Sequence, residues 1–218
     1  MLCQVLCHLR RFDAFPISFQ LSHRTPNIGD DLLFQILQSQ KLLLLFKLAS
    51  LQIRPCSSLT QRLQQTCGGG FGVEVVSQRM EPPMLSEAQA MQRPPQELAL
   101  VRQVRLMCDG EPWVFARTVI PLPSLHGRLR QLALLGNRPL GAVLFADPTM
   151  KRSDIEVACV GQNKRLYHMA MQGVAGGVSE IWGRRSVFTL HSRPLLVSEF
   201  FLPPLASRRP GERCAACR

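Results

Sequence analysis

Apolar and polar positions alternate with a period of two in two parts of the chain, and each part reads as a β-hairpin. Leu98–Met107 and Pro112–Ile120 are strand-like runs joined by Cys108-Asp109-Gly110-Glu111. An Asp-Gly pair between such runs is a strong signal for a two-residue turn. Val187–His191 and Leu195–Leu202 form the second pair, around Ser192-Arg193-Pro194. Two further strands are read over 72–80 and 155–160, where β-branched residues gather. Ser124–Leu135 instead sets Leu125, Leu129, Leu132 and Leu135 at helical spacing, with Ser124 as the cap and Gly136 as the stop. Shorter helices are predicted over 163–171, ahead of Gly173, and from Ser57-Ser58 through Leu63 to the turn at Gly68-Gly69-Gly70. Residues 81–96, with Pro82, Pro83, Pro94 and Pro95, read as connecting material. Residues 1–40 form an irregular leader and 41–53 one apolar helix. Paired strands with interspersed helices and no βαβ regularity predict an α+β fold on a single antiparallel sheet.

Composition sharpens this picture. A chain of 218 residues, 46% apolar and 19% charged, is long enough for one domain with a full core, which excludes wholesale disorder. The net charge of +11 raises nucleic acid as a partner, but six of those charges fall in residues 1–56 and 205–218. Of the 26 basic residues 22 are Arg, which favours forked recognition of carboxylate or phosphate over diffuse solvation. With one Tyr, two Trp and no basic strand interleaved with aromatics, a nucleic-acid binder is disfavoured. The eight cysteines are too scattered to read as a disulfide framework and point to a reducing compartment. Cys214-x-x-Cys217 has no second pair or His cluster beside it and reads as an incidental tail, so no metal site is expected. The longest apolar run, Leu42 to Phe46, is far short of the ~20 residues of a membrane span. The first residues lack the apolar stretch and cleavage site of a secretory signal; a transit peptide or an early start codon stays open.

The usual catalytic motifs are missing. Gly68-Gly69-Gly70-Phe71-Gly72 follows a helix rather than a strand and lacks the Gly-Lys-Ser/Thr ending of a phosphate loop. The five histidines do not cluster. What stands out is charge on apolar strand faces. Leu100, Arg102, Val104 and Leu106 share one face, as do Leu195, Val197, Glu199 and Phe201, each row holding a single charge. A lone buried ion costs several kcal/mol, so each needs a partner, a ligand or a shifted pKa. Two readings stay open: Arg102 and Glu199 pair with each other or lie near open strand ends, or they line a buried site in which Arg102 forks a ligand carboxylate and Glu199 serves as acid. Trp182-Gly183-Arg184-Arg185-Ser186 reads as a solvated basic turn leading into the second hairpin, or as the entrance for an anion.

Several of these blocks carry a resemblance. Arg102-Gln103-Val104-Arg105-Leu106-Met107-Cys108-Asp109-Gly110-Glu111-Pro112-Trp113, then Arg117-Thr118-Val119-Ile120-Pro121, resembles the central signature of the chorismate pyruvate-lyases. Pro139-Leu140-Gly141 with Leu144-Phe145, then Trp182-Gly183-Arg184-Arg185-Ser186, then Pro194-Leu195-Leu196 with Glu199-Phe200-Phe201-Leu202-Pro203, follow in the family's order. Ser58-Leu59-Thr60 matches the start of its domain, so the resemblance covers about 57–204, between a leader 1–56 and a basic tail 205–218.

The resemblance implies a six-stranded antiparallel sheet with surrounding helices and an internal cavity under helical flaps. It implies cofactor-free removal of pyruvate from chorismate to leave 4-hydroxybenzoate, the first step of ubiquinone synthesis. Such an enzyme is expected in the cytoplasm, as a monomer with no nucleic-acid partner. By position, Arg102 corresponds to the arginine that grips the ring carboxylate and Glu199 to the acid facing the para oxygen. Leu59 and Leu140 fall where the family contacts the ligand; the family often has Met where Leu59 stands. Arg184 or Arg185 is expected to attract the substrate's second carboxylate. Between 157 and 182 the chain is longer than compact relatives, with a helix-like insert holding Tyr167 and His168. The alternative is a non-catalytic, small-molecule-sensing domain of the same fold, though residues 1–56 are too short and poorly capped to supply a DNA-binding domain.

Overall fold

A computed structural model of the chain describes residues 59–67 and 70–207, together with Arg10–Arg11. The predicted leader and apolar helix at 41–53, the Ser57-Ser58 cap, and the tail with Cys214 and Cys217 lie outside the described residues.

Among the described residues eight strands run in chain order: β1 Arg10–Arg11, β2 Phe71–Glu81, β3 Ala99–Cys108, β4 Glu111–Pro121, β5 Lys151–Arg152, β6 Glu156–Gly161, β7 Glu180–Leu190 and β8 Arg193–Phe201. The six long ones form one antiparallel sheet in the order β6-β7-β8-β4-β3-β2. The two-residue β1 pairs parallel with β6 at one edge, and the two-residue β5 pairs antiparallel with β7. The α+β class and the single antiparallel sheet therefore stand as predicted.

Both hairpins turn on two residues with positive φ. Asp109 (φ 53°) and Gly110 (φ 83°) join β3 to β4, the backbone that Asp-Gly favours at a turn whose twist matches the flanking strands. His191 (φ 49°) and Ser192 (φ 63°) join β7 to β8, so the second turn precedes the predicted Ser192-Arg193-Pro194. The larger correction is in β7. Its strand begins at Glu180, and Trp182-Gly183-Arg184-Arg185-Ser186 is not a solvated turn but strand interior, with Arg184 and Arg185 both buried. Consecutive strand residues point to opposite faces, and each arginine meets an acid on its own side.

The helices are α1 Leu59–Cys67, α2 Leu85–Ala90, α3 Leu140–Ala146, α4 Arg165–Met171 and α5 Pro203–Ser207. Helix α2 falls in the stretch read as connecting material. Glu87 on its first turn accepts a hydrogen bond from the Met84 backbone N–H (2.8 Å) and meets Arg117 beneath. The segment predicted as one helix over 124–135 is a pair of 3-10 helices, Leu122–Ser124 and Gly127–Leu134. Ser124 does not cap: its hydroxyl donates to the Pro194 carbonyl (2.8 Å), fastening the segment to β8. The apolar spacing still serves, because Leu129, Leu132 and Leu135 are buried against Leu100, Ile120, Leu144 and Leu195.

The core lies on both faces of the sheet. On one face α1 packs Leu59 and Leu63 over Val104, Leu106 and Ala116, while α3 and the 3-10 segment cover Leu100, Phe188 and Leu195. On the other, α4 packs Tyr167 and Ala170 over Phe115, Ile181 and Phe200, and Met91 after α2 covers Val101, Val119 and Leu196. The cysteines also need correcting. Cys67, the last residue of α1, forms a disulfide with Cys108 at the end of β3, their Cα atoms 5.5 Å apart. Scatter along the chain concealed this pair, 41 residues apart.

Candidate active site

Between the sheet and the helices α1 and α3 lies a cavity of about 60 Å³, several times the space one enclosed water needs. Its roof is Leu59 and Thr60 of α1 with Pro139, Leu140, Gly141 and Leu144 around α3. Its floor is the sheet face that carries Arg102, Val104, Ala116, Thr118, Val197 and Glu199.

Register fixes the layout of that floor. Arg102 on β3 stands opposite Thr118 on β4, Thr118 opposite Val197 on β8, and Val197 opposite Ser186 on β7, one row across four strands. The next row runs Val104, Ala116, Glu199, Arg184 over the same strands. Two strand spacings and two residues of rise put the Cα atoms of Arg102 and Glu199 about 12 Å apart. The small side chains of Ala116 and Thr118 lie between them and leave room above the sheet. All four residues singled out in the sequence, Arg102, Glu199, Leu59 and Leu140, line this one cavity.

Arg102 is 3% exposed and has no carboxylate partner among the described residues. Its Nη1 donates to Gln78 Oε1 (3.3 Å) and its Nη2 to the Arg138 carbonyl (3.4 Å), both long bonds to neutral acceptors. Burial pushes its guanidinium below the ordinary arginine range, the mark of a buried cation with an unmet charge. Glu199 does not pair with Arg102. Its Oε2 accepts from Arg184 Nε at 2.6 Å across β7 and β8, which leaves Oε1 with no hydrogen-bond partner among the described residues. Arg185, the neighbour read as equivalent, faces the other side of the sheet, where Nε donates to Glu156 Oε2 (2.8 Å) and Nη1 to the Ser86 carbonyl (3.2 Å).

The chain matches the family described as chorismate lyase over residues 36–210. The chain belongs to that family. Probable chorismate pyruvate-lyases are among its relatives: one from Methylococcus capsulatus is 41% identical over 150 residues, covering 69% of this chain and 91% of the relative. One from Azoarcus sp. is 42% identical over 153 residues, covering 68% and 80%. Among solved structures it is similar to the effector domain of PhnF from Mycobacterium smegmatis, with 12% identity, a TM-score of 0.48, and coverage of 68% of this chain and 90% of that one.

One cavity residue of this chorismate lyase family member went unread in its sequence. Arg152 lies in the two-residue β5, opposite Phe188 of β7. Its Nε donates to Ser186 Oγ (3.0 Å) and its guanidinium carbon sits 5.2 Å from the centre of the Phe188 ring. Burial, reinforced by the charge of Arg184 and opposed by that of Glu199, lowers its pKa. A two-residue strand carries no period to read, and the only available signal was the Arg-rich composition itself. Among the described residues no group of three or more His, Cys, Asp or Glu could hold a metal, and no helix is long and apolar enough to cross a membrane.

Proposed function

We propose that this enzyme converts chorismate to 4-hydroxybenzoate and pyruvate, feeding ubiquinone synthesis. The observation that carries the reading is Arg102: a buried guanidinium without a carboxylate partner among the described residues, at one end of a cavity whose floor also holds Glu199. The catalytic unit is residues 57–204, acting as a cytoplasmic monomer without cofactor.

The reaction is a fragmentation in which no atom is added. The bond between ring C3 and the ether oxygen breaks, with its electron pair leaving on the enolpyruvyl oxygen. The C4 proton is lost and the ring becomes aromatic, which supplies the driving force. The protein's tasks are to hold a reactive pose and to manage one proton.

Arg102 forks the ring carboxylate, and an ion there relieves its buried charge. Glu199 takes the C4 proton on Oε1, the oxygen not engaged by Arg184, and passes it to the ether oxygen as the C3–O bond breaks. The carboxylate is thereby restored, and the released enol tautomerises to pyruvate. Leu59 and Leu140 close the cavity over the ring and exclude water. Leucine in place of the family's frequent methionine preserves an apolar wall while changing its shape.

Incubating purified protein with chorismate and following both products by chromatography tests the reading. Production of 4-hydroxybenzoate and pyruvate in equal amounts is expected, with loss of turnover in Arg102→Ala and Glu199→Ala. A folded protein that binds 4-hydroxybenzoate yet makes none would overturn it in favour of a ligand-sensing domain.

A further inference from the structure

Chorismate, if it is the substrate, has two carboxylates, and Arg102 accounts for one. We propose that Arg152 binds the second, on the enolpyruvyl group that leaves. The proposal rests on the chorismate reading and adds a residue to it.

The alternatives are used up by geometry. Arg184 lines the cavity, but its charge is met by Glu199 at 2.6 Å. Arg185 is on the far face with Glu156 at 2.7 Å. Arg152 makes no ion pair among the described residues, and its one hydrogen bond there uses Nε. Both terminal amino groups, the forked pair that matches a carboxylate, are left for a ligand.

Its place in the sheet register argues the same way. The row from Arg102 through Thr118 and Val197 ends at Ser186, and Ser186 holds the Arg152 guanidinium. Four strands span about 14 Å at the usual spacing. The cavity therefore has an unpaired guanidinium at each end of one row, with the Glu199–Arg184 pair on the adjacent row. A dianion laid along the row meets a cation at both ends and the Glu199 carboxyl at its flank. Phe188, beneath the Arg152 guanidinium, limits its sideways movement and keeps bulk water from that side.

The product separates this role from a structural one, because 4-hydroxybenzoate has the ring carboxylate and lacks the other. In Arg152→Ala, kcat/KM for chorismate is expected to fall roughly 10- to 100-fold, the scale of a charged hydrogen bond. The dissociation constant of 4-hydroxybenzoate, measured by calorimetry on the same variant, is expected to stay within about twofold. Arg152→Lys keeps the charge but not the fork and should recover part of the loss. Unchanged chorismate kinetics, or an equal loss of product affinity, overturns the assignment. Failure of the chorismate reading shows itself separately, as wild-type protein that makes no product.

Discussion

Arg184 and Glu199 face each other across β7 and β8 inside the cavity, Nε to Oε2 at 2.6 Å, and their side chains are 7% and 17% exposed. The pair fixes one carboxylate oxygen and frees the other, so the glutamate has a defined orientation before any ligand enters. Glu199→Gln keeps the shape and removes the proposed proton carrier. Its kcat on chorismate is expected to drop by roughly 10²- to 10⁴-fold, the usual span for a lost acid–base group. Circular dichroism matching wild type would show that the fold is kept; undiminished turnover would refute the proton role.

The Cys67–Cys108 disulfide closes a loop of 41 residues in sequence separation. In chain-entropy terms such a link is worth roughly 2–4 kcal/mol. Cys67→Ser is expected to lower the denaturant midpoint by that equivalent, and a thiol reductant should lower the wild type's while leaving the variant's unmoved. Because α1 also contributes Leu59 to the roof, the reduced protein should show a raised KM for chorismate. Equal midpoints with and without reductant would remove the bond from any stabilising role.

On the opposite face Arg117, 2% exposed, sits between two acids, with Nε 2.7 Å from Glu87 and Nη1 3.3 Å from Glu81. Burial works against ionisation of Glu81, but hydrogen bonds and charge from Arg79 and Arg117 outweigh it and leave the carboxyl below its ordinary range. A depressed native value means that its contribution to stability is complete above the unfolded value near 4.5 and fades as pH falls through the lower native one. Melting temperature should therefore decline below about pH 4.5, and the Glu81→Gln profile should decline less steeply over that range. Glu87→Ala leaves the buried Arg117 with only its longer contact to Glu81 and is expected to cost about 3–5 kcal/mol at neutral pH, read from chemical denaturation.

Gly183 is a site where any side chain collides. A Cβ there would lie 2.5 Å and 2.7 Å from two atoms of the Phe200 ring, which is wholly buried and directly opposite in the ladder. Gly183→Ala should destabilise by about 1–3 kcal/mol, the cost of overfilling a packed core, and lower the melting temperature by several degrees. Because Arg184 is the next residue, activity should fall further than stability does. An alanine variant equal to wild type in both measurements would show that β7 and β8 separate more easily than their packing implies.

Much of the site was legible because β-strand geometry is so regular. A two-residue period was enough to set Arg102 and Glu199 apart as single charges on apolar rows, and Asp109-Gly110 announced the first hairpin. What stayed hidden had physical causes. Gly183-Arg184-Arg185 resembled a turn because consecutive charges in a strand become sensible only when both faces supply acids, Glu199 on one and Glu156 on the other. Helix α2 is six residues between proline pairs, too short for periodicity to show and held by Arg117 from 30 positions away in sequence. Leu125–Leu135 had the right spacing for helix, yet the tie from Ser124 to Pro194 belongs to tertiary structure. Eight cysteines allow 105 complete pairings, so no spacing argument selects one bond.

The roof over the ligand is asymmetric. Helix α1 is covalently fastened to β3 at its last residue, whereas α3 is held to the sheet by packing alone among the contacts described. A panel pinned at one end swings about the pin but does not lift away. Reduction of the Cys67–Cys108 bond is therefore expected to loosen the α1 side of the roof and to leave the Leu140 side as it was.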